Sequence, residues 1–298
     1  MNTKTFNGIQ KHKFMDDLER RIQDFRREIY ENMVRTHVEN KTNITWFVLA
    51  LKSFKYFPGN EIRGEFLDSY YALMRYIDDV VDGDAQLPEG YQSREEFVQR
   101  RVSFSHYPQN PVESVDHLMA YCFGLAKRMG HDFSQETQDM ASSMLFDARR
   151  MGKGTIFSER ELFHHFYLLD IRGCIVASLK VFGEYPLKYK ALEDLGIAVR
   201  IYYNLRDFDS DLKAGLVNIP AEDFKRLSMT VDSLDDRFSV SVQQWFKEQA
   251  AKGMASLAKH RLRMMTVDFR LLTRTTLYTV YERPARRYFQ SVLGNLRE

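Results

Sequence analysis

Apolar residues recur at three- and four-residue intervals along most of the chain, and no stretch alternates apolar with polar regularly enough to read as a strand. This periodicity predicts helices over residues 13–39, 43–56, 62–82, 93–104, 112–130, 134–150, 158–182, 187–212, 232–260 and 263–295. The gaps carry turn chemistry: "FPGN" at 57–60, "DGDAQLPEG" at 82–90, "SHYPQNP" at 105–111, "GEYP" at 183–186 and "AGLVNIP" at 214–220. No internal repeat and no linker-like stretch interrupts the series. The expected fold class is all-α, a single large helical bundle of about ten helices. Residues 1–42, which are polar, are expected to form a helical extension on its outside, and residues 43–298 the main domain.

Composition supports helix. Across 298 residues there are only 7 Pro and 15 Gly, the two strongest helix breakers. Aromatic residues are abundant, with 22 Phe and 16 Tyr, which reads first as a bulky core and second as a cavity with aromatic walls. A formal net charge of +2 offers no bulk field for nucleic acid. Cys122 and Cys174 stand at unrelated positions, as in a reducing compartment, rather than as a disulfide framework. The opening "MNTKTFNGIQKHK" has no apolar signal core, and no apolar run is long enough to span a bilayer. The expectation is a cytoplasmic protein, with peripheral membrane contact left open and the oligomeric state undetermined.

Two acidic segments carry the candidate chemistry. In "YALMRYIDDVVDGD", Tyr71 to Asp84, four carboxylates follow an apolar helix within seven residues. Asp78 and Asp82 are four apart and so share a helix face, where like charges repel unless a cation compensates. In "RIYYNLRDFDSDLKAGLVNIP", Arg200 to Pro220, Asp207 and Asp211 repeat that spacing. Arg75 precedes the first pair, Arg206 the second, and Lys213 follows. Asp232 and Asp236 have the same spacing without an apolar lead-in or an arginine in the turn before them, and are assigned to solvent. Two acidic helix ends facing each other across a cavity suit Mg2+, which takes one or two carboxylates, waters and phosphate oxygens. Cationic side chains would take up the rest of a diphosphate's charge. Loss of diphosphate from an allylic carbon needs this arrangement, together with apolar and aromatic walls that keep a carbocation from water.

"YALMRYIDDVVD" resembles the first aspartate-rich segment of the squalene and phytoene synthase family, at Tyr71, Ala72, Arg75, Asp78, Asp79 and Asp82. "LRDFDSDLKAGLVNIP" resembles the second, at Leu205, Arg206, Asp207, Asp211, Gly215, Ile219 and Pro220. The resemblance covers about residues 45 to 290. It implies an isoprenoid synthase-type bundle around a central cavity and head-to-head joining of two allylic diphosphates, farnesyl or geranylgeranyl, through a cyclopropylcarbinyl diphosphate. It implies Mg2+, or Mn2+ in its place, at Asp78, Asp79, Asp82, Asp207 and Asp211, and substrate contacts from Tyr71, Arg75, Arg206, Lys213, Tyr203 and Asn204. NADPH serves some members as a reductant and is undecided here. The chain departs from the family at several positions. Tyr203 stands where an Asn is usual, with Asn204 one residue off. Leu216 and Asn218 replace an Arg and a Tyr, and the glycine-rich middle stretch survives only as "IRGCIV". These departures keep two other readings open: a cyclase acting on one diphosphate, and a non-catalytic scaffold.

Eight further positions carry candidate roles. The resemblance places Asp147 on a cavity helix, and the alternative is a helix-end charge. Asp170 and Arg172, in an apolar stretch, read first as an ion pair between helices and second as part of the cavity. Adjacent His164 and His165 point to different sides of a helix and are expected to be structural. Tyr278 and Tyr281 are expected in the core, with a lesser reading in which one of them, or Arg283, reaches a diphosphate.

Overall fold

A computed structural model describes residues 3–36, 41–231, 234 and 239–294, which include no strand. The Asp232/Asp236 pair lies outside the described residues. The helices are α1 (Thr3–Thr36), α2 (Lys41–Ser53), α3 (Glu61–Asp82), α4 (Arg94–His106), α5 (Ser114–Arg128), α6 (Ser134–Arg150), α7 (Glu159–Phe166), α8 (Val176–Val181), α9 (Glu193–Arg206), α10 (Phe208–Lys213), α11 (Ala221–Arg226), α12 (Val240–Met264), α13 (Leu271–Thr276) and α14 (Arg283–Gly294). The chain divides into two compact units, residues 1–141 and 142–298.

The first unit is organised by α3. Phe66, Tyr70, Leu73, Ile77 and Val81 are all buried at helical spacing, and Phe66 packs on Phe133 with ring centroids 4.3 Å apart. The expected N-terminal extension is α1, and it is tied into this unit rather than laid over it. Ile22, Ile29, Tyr30 and Met33 are buried. Arg26 is buried as well, paired with Glu65 at 2.6 Å and Asp68 at 3.3 Å, while the Tyr30 hydroxyl donates to Asp68 Oδ1 at 2.7 Å. A polar surface sequence thus hides one apolar stripe and one buried charge, and the charge is tolerated because it is paired.

In the second unit α9 packs along α12, with Leu195, Ile201, Leu205, Phe208, Trp245, Phe246, Leu257 and Phe289 in one core. The expected helix over 158–182 is present but changes winding. Ser158 and Glu161 form a capping box that starts α7. Residues Tyr167–Ile175 are then π-helical before α8 resumes. A second π segment, Leu277–Glu282, joins α13 to α14. Wider turns of this kind shift side-chain register and recur at functional sites. The expected helix over 187–212 is broken at Asp207, whose φ of −93° and ψ of 8° end α9 and start α10.

Candidate active site

The first acidic segment forms the last turn of α3, which contains no basic residue. A helix C-terminus already carries partial negative charge, so carboxylates there are disfavoured without a cation. Arg75 supplies part of the compensation. It reaches Asp78 at 3.3 Å and Asp84 at 3.4 Å and also pairs with Asp79. Asp79 is buried, and burial pushes its carboxyl up to about 6 against the pull of Arg75. Asp78 is half-buried and Asp82 exposed, leaving this pair more open to an incoming ion than Asp79. Gly83, at φ +86°, terminates the helix immediately after Asp82, its N–H and that of Ala85 both returning to the Asp79 carbonyl at 3.0 and 2.9 Å. Tyr71 stacks near Tyr30 with centroids 6.3 Å apart, and its hydroxyl meets Met33 Sδ at 3.6 Å.

The second acidic segment straddles the joint between α9 and α10. Although the helix breaks there, the Asp211 N–H still donates to the Asp207 carbonyl at 2.8 Å, so the one-turn spacing is kept. Arg206 holds Asp207 with two bonds, Nε to Oδ1 at 2.7 Å and Nη2 to Oδ2 at 2.6 Å. Asp211 is pushed up to about 7, mainly by burial and then by the Asp207 charge, against the opposing pull of Arg200 and Asn218. Tyr203 lies under the Arg206 guanidinium at 4.7 Å, and its phenol is pushed up to about 12, chiefly by burial. Lys213 is exposed at the end of α10.

Behind Asp211 runs a chain of hydrogen bonds that the sequence did not reveal. Asn218 Nδ2 donates to Asp211 Oδ2 at 2.8 Å, and Arg150 Nη2 donates to Asn218 Oδ1 at 2.8 Å. Arg150 Nε donates to Asp147 Oδ1 at 2.8 Å, Asp147 Oδ2 faces His165 Nε2 at 3.2 Å, and His165 Nδ1 meets Ser143 Oγ at 2.8 Å. Burial alone would raise the Asp147 carboxyl, but His165 and Arg150 outweigh it and hold it near 2. Asn218, one of the departures from the family, therefore orients a candidate metal ligand. His165 is held between Asp147 and Ser143, and Asp147 is an ion-pair partner as much as a helix-end charge.

A cavity of about 110 Å3 lies in this unit, walled by Phe166, Ile171, Ile197, Ile201 and Trp245. Its polar groups are Asp170, Arg200, Asn204 and Asn218. Asp170 pairs with Arg200 rather than Arg172, through bonds of 2.7 and 2.8 Å, so the expected interhelical ion pair also lines the cavity. Asn204 Oδ1 is buried without a hydrogen-bond partner. Asp207 and Asp211 do not line the cavity, but Asn218 belongs both to its wall and to Asp211. Arg200 was missed in the sequence, although it precedes Asp207 by seven residues, two helical turns. Tyr278 is 48 % exposed, which corrects its expected place in the core. It ends up outside because the π winding of Leu277–Glu282 buries Leu277 and Glu282 instead. Tyr281 packs against the core as expected.

Gly215 fixes the loop that presents Asn218. Its φ is +72°, and a Cβ there would lie 2.6 Å from Gly152 Cα. Backbone bonds clasp the two loops: Gly152 N–H to Ala214 O at 2.9 Å and Gly154 N–H to Gly215 O at 3.0 Å. Gly215→Val should therefore cost about 2–4 kcal/mol, from the left-handed backbone and from overpacking against a backbone that cannot swing away. An unchanged melting temperature would contradict this reading of the loop.

Among the described residues no three His, Cys, Asp or Glu groups converge as a ready-made metal cage. Two carboxylates at each segment nevertheless suit Mg2+, which keeps waters and substrate oxygens in most of its positions. Asp211 is raised first by burial and then by the Asp207 charge, and a cation between the two carboxylates would relieve that repulsion.

The all-helical fold is of the isoprenoid synthase type. Residues 54–290, most of the chain, match the squalene/phytoene synthase family, and the chain belongs to that family. The fold resembles the crystal structure of squalene synthase HpnC from Alicyclobacillus acidocaldarius, at 16% identity and a TM-score of 0.62, over 94% of each chain. It also resembles a dehydrosqualene synthase crystallised with a ligand, at 16% identity and a TM-score of 0.55, over 91% of this chain and 98% of that one. No curated protein matches the sequence significantly. At the family level this supports a prenyltransferase-type enzyme acting on isoprenyl diphosphates.

Proposed function

We propose that the protein condenses two allylic isoprenyl diphosphates, farnesyl or geranylgeranyl, head to head, through a cyclopropylcarbinyl diphosphate, with release of diphosphate. Asp78 and Asp82 of the first unit and Asp207 and Asp211 of the second would hold Mg2+, whose charge would offset that of a departing diphosphate. Arg75 and Arg206 hold and balance the carboxylates and are placed to take phosphate charge as the ions bind, with Lys213 as a further cation. The aromatic and aliphatic walls of the second unit's cavity exclude water from cationic carbon. The observation that carries this reading is the Asp207/Asp211 pair: two carboxylates at one-turn spacing, one raised to about 7 by burial and its neighbour, inside a family match that includes both acidic segments.

Purified protein incubated with farnesyl or geranylgeranyl diphosphate and Mg2+ should release diphosphate and yield a product of doubled carbon count. Parallel reactions with and without NADPH decide whether a reductive step follows. A product of unchanged carbon count would replace coupling by cyclisation, the reading favoured by Tyr203 in place of the usual Asn. Absence of diphosphate release from either substrate would sink both.

A further inference from the structure

One corner of the second unit has no part in the chemistry above. The connection between α8 and α9 exposes Tyr185 and Leu187, at 64% and 54%. The end of α12 and the start of α13 expose Leu262, Met265, Leu271 and Leu272, the middle two at 81% and 80%. Backbone-directed bonds hold the two stretches together. Lys188 donates to the Asp268 carbonyl, Arg263 Nη1 to the Lys190 carbonyl at 3.0 Å, and Arg270 Nη1 to the Phe182 carbonyl at 3.3 Å. Glu184 is buried beneath them and satisfied by Lys188, the Arg270 N–H and Thr273. Six large apolar side chains therefore project from two adjoining turns, at positions where a soluble surface has no use for them.

Their surroundings are basic. Lys188, Lys190, Arg261, Arg263, Arg270 and Arg274 lie on the same two stretches, where Asp268 is the one exposed acid among the described residues. Glu184, Asp194 and Glu282 take up Lys188, Arg263 and Arg261. The Arg270 and Arg274 guanidinium groups bond only carbonyls, and no described carboxylate forms an ion pair with them or with Lys190. We propose that this corner is a peripheral docking surface for an anionic lipid bilayer, inserting Met265, Leu271 and Leu272 at the headgroup boundary while Lys190, Arg270 and Arg274 meet lipid phosphates. The charge selects this occupant. A two-fold contact between copies would set the same unpaired cations against each other, whereas a negative leaflet complements them. No described helix is long and apolar enough to cross a membrane, so the association is superficial.

The test is co-sedimentation of the full chain with vesicles of phosphatidylcholine alone and of phosphatidylcholine mixed with phosphatidylglycerol. Wild-type protein should bind the anionic vesicles and lose binding as salt rises. The Met265→Glu/Leu271→Glu pair should lower partitioning by about tenfold or more. Arg270→Glu/Arg274→Glu should remove the preference for anionic vesicles. Val112→Glu, at an exposed apolar position of the first unit, should bind as wild type. All these positions are on the surface, and thermal melting confirms that each variant is folded. The proposal fails if wild type ignores anionic vesicles, if the corner variants partition as wild type, if Val112→Glu loses as much, or if light scattering shows that the corner variants break up an oligomer. The readout needs no turnover, so the result is independent of the reaction proposed above.

Discussion

Asp207→Ala and Asp78→Ala should each reduce Mg2+-dependent turnover by about three orders of magnitude or more. Each deletes a charged ligand from an ion that the leaving group needs, and losing such an interaction costs several kcal/mol in the transition state. The folded state should barely register the change. Asp78 shares Arg75 with Asp79 and Asp84, and Asp207 is held by a half-exposed Arg206. Breaking a pair exposed to this degree costs about 0–1 kcal/mol, and the relief of carboxylate repulsion offsets part of it. Melting temperatures without Mg2+ should thus stay within a few degrees of wild type. Asp232→Ala and Asp236→Ala probe the same spacing at positions with no arginine in the turn before them, although Arg237 follows Asp236. They should leave the rate near wild type and stability within about 0.5 kcal/mol, as at ordinary surface sites. Diphosphate release assays on the four variants decide the matter. Activity lost as fully from Asp232 or Asp236 as from Asp78 or Asp207 would show the site to be misplaced.

What could be read in advance follows from which interactions are local. Helix positions follow from a periodic apolar stripe, so α3, α4, α5 and α6 lie within a few residues of their expected ranges. The two acidic pairs were legible because their meaning rests on i, i+4 spacing and an adjacent arginine, all within one helical turn or two. The sequence was silent where partners are far apart along the chain. Arg150 meets Asn218 across 68 residues, and Asp170 meets Arg200 across 30. No local pattern distinguishes such residues from solvated charges. The π segments were invisible for a related reason: a wider turn keeps the apolar stretch intact and only rotates which residues face the core, which is how Tyr278 came to be exposed. The buried Arg26 in α1 escaped notice because its alternating charges look like any exposed helix until Asp68 is found opposite.

Asp211→Asn should separate stability from catalysis by moving them in opposite directions. In the folded protein the Asp211 carboxyl titrates near 7, raised first by burial and then by Asp207, whereas an unfolded aspartate titrates near 3.9. Between those values the folded state holds the extra proton. Stability therefore falls as pH rises from about 4 to about 7 and levels off above. Three pH units correspond to at most about 4 kcal/mol, and relaxation around a partly solvated site reduces this to a gain of about 1–2 kcal/mol for the amide at pH 8. The amide accepts from Asn218 as the carboxylate did, so the chain through Arg150 and Asp147 survives. Thermal unfolding at pH 5 and pH 8 without metal should find the variant close to wild type at the lower pH and more stable at the higher. Mg2+ should reverse the order at pH 8, stabilising wild type far more than a variant that has lost a charged ligand. Turnover should meanwhile drop by orders of magnitude, as for Asp207→Ala. A variant no more stable than wild type at pH 8 without Mg2+ would mean that Asp211 carries no electrostatic load in the folded chain, and the case for a cation beside Asp207 would fall with it.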